Sequence, residues 1–274
     1  MSLRYASLGS GSSGNALVIE TRCATQTTRL LLDCGFSVRE TEKRLARLEL
    51  TGNDIDAILV THEHDDHIGG VAKFARKFGT PLYMSRGTYV SVLNHSHSCA
   101  KLNVQFCVDN QPFHIKDIQV RPYTVPHDAR EPLQFTFHSQ TVQLGVVTDI
   151  GHVTPHVINA LKASNGLVLE YNYDAQMMAQ STKYPPSLKQ RITGRYGHLD
   201  NLDSQHLLKQ LIHANLHHVH AAHISTNNND VNKVQTLLNA ALNPSQVPFT
   251  VACQDEGFDW FWVQDGAKNI DEAQ

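Results

Sequence analysis

The stretch "THEHDDHIGG", Thr61–Gly70, sets three histidines and two aspartates within six consecutive positions, His62 to His67. Carboxylates crowded this closely repel one another unless positive charge offsets them. The run just before it, "DAILV" at Asp56–Val60, is short and continuously apolar, as in a strand buried on both faces. The run just after it, "IGGVAKFARKFG", repeats apolar residues at helical spacing through Val71, Ala72, Ala75 and Phe78, and Gly79 and Pro81 close it. The cluster therefore sits where a buried strand hands over to a helix. That is the strand–loop–helix unit of an α/β fold.

Imidazole nitrogens suit zinc, and a carboxylate can complete or bridge a site. One tetrahedral ion cannot readily use His62, His64, Asp66 and His67 from a single short loop, whereas two adjacent ions can. His62 and His64, two apart on an extended segment, would face one ion, and Asp66 and His67, at the helix start, the other. Two ions need further ligands, and histidines or aspartates that follow apolar strands are the candidates. His127 follows "VRPYTVP", Asp149 follows "TVQLGVVT" and His223 follows "HHVHAA". His62, His64 and His127 then serve one ion, Asp66, His67 and His223 the other, and Asp149 bridges them. The alternative is a helix cap that binds no metal. The density of the cluster argues against it, more firmly for His62–His67 than for the three distant residues.

The 274 residues carry a net charge of -3, with 41% hydrophobic and 18% charged residues, which are globular values. No run of about 18 apolar residues spans a membrane. The opening residues lack a basic segment followed by an apolar one, which argues against secretion. Five scattered cysteines form no C-x-x-C pair, consistent with a reducing compartment, so a cytoplasmic location is expected. The slightly acidic balance does not itself announce a polyanion partner, but a local basic patch would suffice.

Around the cluster, "LRYASL", "ALVIE" and "RLLLD" read as successive strands, and "SVRETEKRLARLEL" as a helix capped by Ser37. Asn103 to Val147 is strand-rich. From Thr154 onward, helices ("PHVINALKA", "DSQHLLKQLIHAN", "VNKVQTLLNAAL") alternate with strands ("GLVLEY", "HHVHAAHI"), and "FTVAC" and "DWFWV" finish the core. "STKYPPSLKQRITGRYGHLDN" reads as a loop or short helix, and residues 266–274 as a frayed tail. With no repeat or linker, the order suggests a single domain of two similar halves, sheet against sheet with helices outside.

These residues carry a family resemblance. "LLDCG", "THEHDDHIGG", "PHD", "TDIG" and "AAHIS" fall in the order found in metallo-β-lactamase-fold hydrolases, over nearly the whole chain. The resemblance implies a four-layer αββα sandwich with a dinuclear metal site at one edge of the sheets, and the ligand set given above. It also implies that Asp33 supports the site without ligating. Redox members of the superfamily tend to carry glutamate where this chain has His64, so nitrogen ligands there favour zinc, with manganese as the alternative. "LGSGSSGN", "VLEYNYD", "YPPSLKQRITGRYGHLDN" and "HISTNNN" further resemble the YycJ/WalJ-type family, which is associated with 5′-to-3′ exonuclease action on DNA. Two departures stand out. Tyr173 replaces a histidine in "E-x-N-H-D", and Asp200 replaces a serine in "GHLSN".

A metal pair of this kind makes hydroxide available near neutral pH and clamps a phosphodiester, and Asp66 would orient that hydroxide. Gly9–Asn15 is glycine- and hydroxyl-rich. Its N–H groups, with Ser12, Ser13 and Asn15, offer a phosphate cradle, although a plain hairpin has the same composition. Lys183, Lys189, Arg191 and Arg195 lie beside Tyr184 and Tyr196, a combination that pairs with phosphates and stacks on bases when it is not simply solvated. His198 follows as a contact to the scissile phosphate or a proton donor to the leaving oxygen. Ser225 and Asn228 suggest polar contacts at the mouth of the site, or only a helix cap. The expected function is a metal-dependent DNA phosphodiesterase. The competing readings are a small or cyclic phosphodiester substrate, a thioester or lactone substrate, and a metal-braced binding module without catalysis. Oligomeric state is not legible in the sequence.

Overall fold

In the computed structural model, which describes residues 2–23, 26–93 and 99–264, two sheets lie face to face with helices on their outer sides. The expected tail, 266–274, falls outside the described residues. The first sheet contains β1 (Ser2–Gly9), β2 (Ala16–Arg22), β3 (Thr27–Leu32), β4 (Ala57–Leu59), β5 (Leu82–Met84) and β6 (Val104–Phe106), with β14 (Phe258–Val263) outside β1. The second contains β7 (Phe113–Ile115), β8 (Ile118–Thr124), β9 (Leu133–Ser139), β10 (Val142–Val147), β11 (Gly166–Glu170), β12 (His218–Ala222) and β13 (Phe249–Val251), in reverse order across the sheet. Each half begins as an antiparallel meander and turns parallel, from β3 to β6 and from β10 to β13.

Alternation along the strands builds the layers. On β1, Leu3 and Tyr5 join β9's Phe135 and Phe137 in the core between the sheets. Ala6 and Leu8 point the other way, into a core shared with α1 (Val38–Arg47) and α3 (Val71–Phe78). Ser37 caps α1 by accepting from the Glu40 N–H. Gly79, at φ 69°, ends α3 in the left-handed conformation that glycine adopts without steric cost. A third core lies between β10–β12 and the helices α5 (Pro155–Leu161), α8 (Asn201–Leu211) and α9 (Val231–Leu242). The result is the expected αββα order.

Several short elements escaped the reading of the sequence: β5, β7, the helix Arg86–Val92 and the helix Ala175–Gln180. In chain order α2 is Asp65–Ile68, α4 Arg86–Val92, α6 Ala175–Gln180 and α7 Pro186–Ile192. The segment read as loop or short helix contains α7, a two-turn helix with none of its residues buried. Among the described residues, no helix is long and apolar enough to cross a membrane, and Cys34, Cys107 and Cys253 are free thiols.

Parallel strands present their carboxyl ends along one edge of a sheet, and ligand sites in α/β folds form there. β3 and β4 deliver Asp33 and the His62–His67 loop to that edge. β8, β10, β11 and β12 deliver His127, Asp149, Glu170 and His223 to the facing edge.

Candidate metal centre and active site

The site gathers its side chains from six strand ends, and three of them sit in left-handed backbone: Asp33 (φ 60°), Asp149 (φ 54°) and His223 (φ 55°). Non-glycine residues held there typically cost about 1–3 kcal/mol each. The three cores offset this, since each fully buried Leu, Ile or Phe contributes roughly 1.5–3 kcal/mol.

Two groups of donors form. In the first, His64 Nδ1 lies 2.9 Å from His62 Nε2 and 3.2 Å from His127 Nε2. Tetrahedral ligands around zinc, at about 2.0–2.1 Å from the ion, would sit roughly 3.3 Å apart. In the second, His223 Nε2 lies 3.5 Å from Asp66 Oδ2, and His67 Nε2 is also 3.5 Å from that oxygen. Asp149 adjoins the second group directly: its Oδ2 is 3.2 Å from His67 Nε2 and its Oδ1 is 3.5 Å from His223 Nε2. Donor atoms of His62, His67 and Asp149 also fall close together, so the two groups are contiguous.

The outer nitrogens show which atoms face inward. His67 Nδ1 donates to Asp33 Oδ2 at 2.8 Å, and His127 Nδ1 to the Gly197 carbonyl at 3.0 Å. Thr61 Oγ1 donates to Asp33 Oδ2 at 2.9 Å, so it accepts from His62 Nδ1, also at 2.9 Å. His223 Nδ1 lies 3.3 Å from Glu170 Oε1. For His62, His67 and His127 the partner is an acceptor that places the proton on Nδ1 and aims the Nε2 lone pair at the centre, whereas His223 Nδ1 also has the Asn172 amide nitrogen at 3.1 Å. Histidine ligands are commonly fixed in this way by a hydrogen bond to their second nitrogen. Asp33 thus buttresses His67 directly and His62 through Thr61.

The electrostatics of the site point the same way. Burial, with His67 as the next influence, pushes the His62 imidazole well below its ordinary pKa, and burial also lowers His127. Burial opposes protonation of His223 as well, yet Asp149, Asp66 and Glu170 raise it to about 10. His67 is raised well above its ordinary value against the same burial, by Asp149, Asp66 and Asp33. The carboxylates therefore demand positive charge in a dry site, which protons or cations must supply. Asp149 Oδ2 is buried and has no well-formed hydrogen bond. A buried carboxylate oxygen aimed at inward-facing nitrogens fits a divalent cation, and the donor set is one that transition metals accept.

His198 lies at the rim. Its Nδ1 donates to Glu170 Oε1 at 2.8 Å, which leaves Nε2 for the cleft. Burial lowers its pKa, but Glu170 and Asp149 outweigh this and raise it overall. Glu170, buried at the end of β11, received no role from the sequence. Its Oε1 also accepts from Asp149 N at 3.1 Å, and its Oε2 accepts from Ile150 N at 3.2 Å and Leu199 N at 3.1 Å. Its oxygens thereby brace the loops that carry Asp149 and His198, and they also fall close to donor atoms of Asp149, His198 and His223. Asn172, two residues on, donates to the His223 carbonyl at 3.0 Å.

A cleft of about 200 Å³ opens beside these groups, lined by Ser12, His64, Asp66, Asp128, Asp149, Arg191, His198 and His223. Leu188 and Ile192 of α7 form its apolar wall. Arg191 Nε donates to Asp128 Oδ2, and Asp128 Oδ1 lies 3.6 Å from His64 Nε2. Of the expected substrate contacts, Ser12 and Arg191 line the cleft.

The others do not line this cleft. The Gly9–Asn15 turn is not an open cradle: the N–H groups of Ser10, Gly11, Ser13, Gly14 and Asn15 already donate to Cys253 O, Asn15 Oδ1, Gln254 Oε1, Gly11 O and Asp66 O. Asn15 is buried, and its amide donates to Asp66 Oδ2 at 3.2 Å, so it holds the metal loop. Ser13 is exposed but stands outside the cleft lining. Lys189 donates to the Ala179 carbonyl at 2.9 Å and does not line the cleft. Arg195 is exposed, with its carbonyl accepting from His152 at 2.8 Å. Ser225 and Asn228 are buried under the mouth, where the Ser225 hydroxyl accepts from Asn228 N at 3.2 Å.

Comparison with known proteins agrees with this geometry. The model of the metallo-beta-lactamase superfamily matches residues 9–222. Exodeoxyribonuclease YycJ of Bacillus anthracis is 35% identical over 232 residues, covering 84% of this chain and 85% of that protein. Exodeoxyribonuclease WalJ of Streptococcus pneumoniae (strain D39) is 32% identical over 235 residues, 82% of this chain and 83% of its own. Among solved structures, the metallo-beta-lactamase fold protein YhfI of Bacillus subtilis superposes with a TM-score of 0.70 at 13% identity, over 96% of this chain and 100% of its own, a likeness of fold alone. The chain belongs to the metallo-beta-lactamase superfamily, is a hydrolase of that fold, and falls in the same family as YycJ and WalJ.

Proposed function

We propose that the protein is a dinuclear metal-dependent phosphodiesterase acting on DNA, an exodeoxyribonuclease of 5′-to-3′ polarity. The observation that carries this reading is the pair of ligand groups joined at Asp149, beside a cleft that also holds Arg191 and His198. The names of the two family members support DNA as the substrate. His62, His64 and His127 would hold one ion and Asp66, His67 and His223 the other, with Asp149 shared. Zinc is the first expectation from the nitrogen-rich set and manganese the second. Two such ions, when bound, supply an activated water at neutral pH and neutralise the charge of a phosphodiester.

The chain's own residues do the rest. Asp66 orients the attacking water as well as ligating. Arg191 exchanges part of its bond with Asp128 for a phosphate oxygen. His198, anchored through Nδ1, donates the Nε2 proton to the leaving oxygen. A second reading, a small or cyclic phosphodiester, is favoured by the modest cleft of about 200 Å³.

The test pairs DNA duplexes blocked at the 5′ or the 3′ end with a cyclic dinucleotide and a thioester, using metal-saturated protein. Release of nucleotides from 3′-blocked but not 5′-blocked DNA is expected. Turnover of the cyclic dinucleotide alone would transfer the assignment to the second reading, and turnover of the thioester alone would overturn both. His198→Ala should cut DNA turnover by about 10²–10⁴-fold without loss of metal. An aryl phosphodiester, whose leaving group needs little protonation, should suffer less.

A further inference from the structure

The basic segment carries two tyrosines, and the structure treats them differently. Tyr184 is partly buried, and its hydroxyl lies 3.4 Å from the Asn227 amide. Tyr196 is 62% exposed, the most of any large hydrophobic side chain among the described residues. An exposed aromatic ring on a mobile loop would be unremarkable surface. Tyr196 is not on such a loop. Gly197 N donates to Gly194 O at 2.9 Å and His198 N to Ile192 O at 2.8 Å, closing a tight turn at the end of α7. His152 Nδ1 donates to Arg195 O, and Gly151 N donates to Pro126 O at 2.7 Å.

The turn is also pressed onto the loop that carries Asp149. A Cβ on Gly151 would stand 2.3 Å from Arg195 O and 2.6 Å from Tyr196 Cα, so only glycine permits this approach. The neighbouring Gly197 carbonyl receives the His127 proton. Tyr196 thus has a backbone fixed to the metal loops and a ring left in solvent. The His152 ring meets it edge-on, with centroids 6.4 Å apart and planes at 78°, forming an aromatic corner. The turn that carries Tyr196 also carries Gly197 and His198, both of which line the cleft.

We infer that Tyr196 is a stacking platform for one nucleobase next to the scissile phosphate, with His152 as its side wall. The inference rests on the proposed DNA substrate and narrows it: the enzyme grips an unpaired base beside the bond it cuts. An aromatic ring gains roughly 5- to 150-fold per stacked base, and any base has a π-face to offer.

The experiment uses the full, metal-loaded protein and single-stranded oligonucleotides in which an abasic residue is moved along the positions nearest the cleaved end. Tyr196→Ala should lower kcat/KM on fully base-bearing DNA by roughly 5- to 150-fold, while Tyr196→Phe and Tyr196→Trp retain most of it. At one position the abasic residue should cost the wild type a similar factor and shrink the difference between wild type and Tyr196→Ala toward unity. Anisotropy of a labelled oligonucleotide with non-hydrolysable linkages, on the same metal-loaded protein, should show the same pattern in affinity. Unchanged cleavage and binding by Tyr196→Ala would overturn the inference, as would a loss that persists at full size at every abasic position. Absence of any DNA cleavage by metal-saturated wild type would overturn the nuclease reading and this inference together, whereas wild-type cleavage with a silent Tyr196 overturns this inference alone.

Discussion

Glu170→Gln is the substitution that the site should tolerate least for so small a change of shape. The carboxylate is buried and accepts from two backbone N–H groups at Oε2, and from Asp149 N and His198 Nδ1 at Oε1. Glutamine turns one of those oxygens into a donor. In either orientation, two N–H groups then face an NH2 group and lose their acceptor. At about 1.5–3 kcal/mol for each charge-assisted bond, the loss is about 3–6 kcal/mol. A chain of this size loses roughly 2–4 °C of Tm per kcal/mol, so the midpoint should fall on the order of 10 °C. Function should fall through His198, which loses either its anchor at Nδ1 or the Leu199 contact that places its loop. Turnover on DNA, measured at saturating metal, should drop by at least about 10²-fold. A double-mutant cycle tests this coupling best, because both substitutions disable one unit. Glu170→Gln added to His198→Ala should then cost only a few-fold more in turnover. Wild-type turnover with an unmoved Tm, or full additivity with His198→Ala, would refute it.

His220 supplies a stability prediction remote from catalysis. It is fully buried between the sheets, and burial, with His218 beside it, pushes its pKa down to about 2. The unfolded imidazole binds its proton near pH 6.5 and the folded one does not. Stability is therefore lost as pH falls below about 6.5, by about 2 kcal/mol between pH 8 and pH 5. His220→Gln keeps an acceptor for the Tyr5 hydroxyl, and in chelator-treated protein it should flatten that slope; equal slopes in thermal melts would contradict the assignment. Arg191→Ala should weaken DNA binding and reduce the magnitude of its log–log salt slope by about 0.7–0.9, the loss of one phosphate contact. Lys189→Ala should leave both unchanged, since its ammonium is tied to Ala179.

The metal loop was legible because its signal is local. An apolar strand, a dense His/Asp run and an amphipathic helix follow one another within about two dozen residues. His127, Asp149 and His223 were found by asking which polar residues follow apolar strands. The same question would have found Glu170 after "GLVLE", but a lone acid there looks like any strand end until β11 is seen lying between β10 and β12. Asn15 and Asn228 were misplaced for a different reason. Whether their amides face solvent depends on contacts 51 residues away for Asn15 and on the loop folding beneath Asn172 for Asn228. The glycine-rich turn misled in the same way, because Gln254, some 240 residues on, fills it. The short strands β5 and β7 carry three residues each, too few for any periodicity to register.

In the proposed mechanism one carboxylate, Asp149, joins two metal positions into a single hydrolytic centre. Metal content per chain after equilibration with excess zinc and removal of the excess tests it most directly, taken on the wild type, His223→Ala and Asp149→Ala, each with DNA hydrolysis measured alongside. About two ions are expected in the wild type, about one in His223→Ala, and near none in Asp149→Ala, with hydrolysis lost on exhaustive chelation and restored by returning metal. A single ion in the wild type, two retained by Asp149→Ala, or undiminished hydrolysis after chelation would contradict the account.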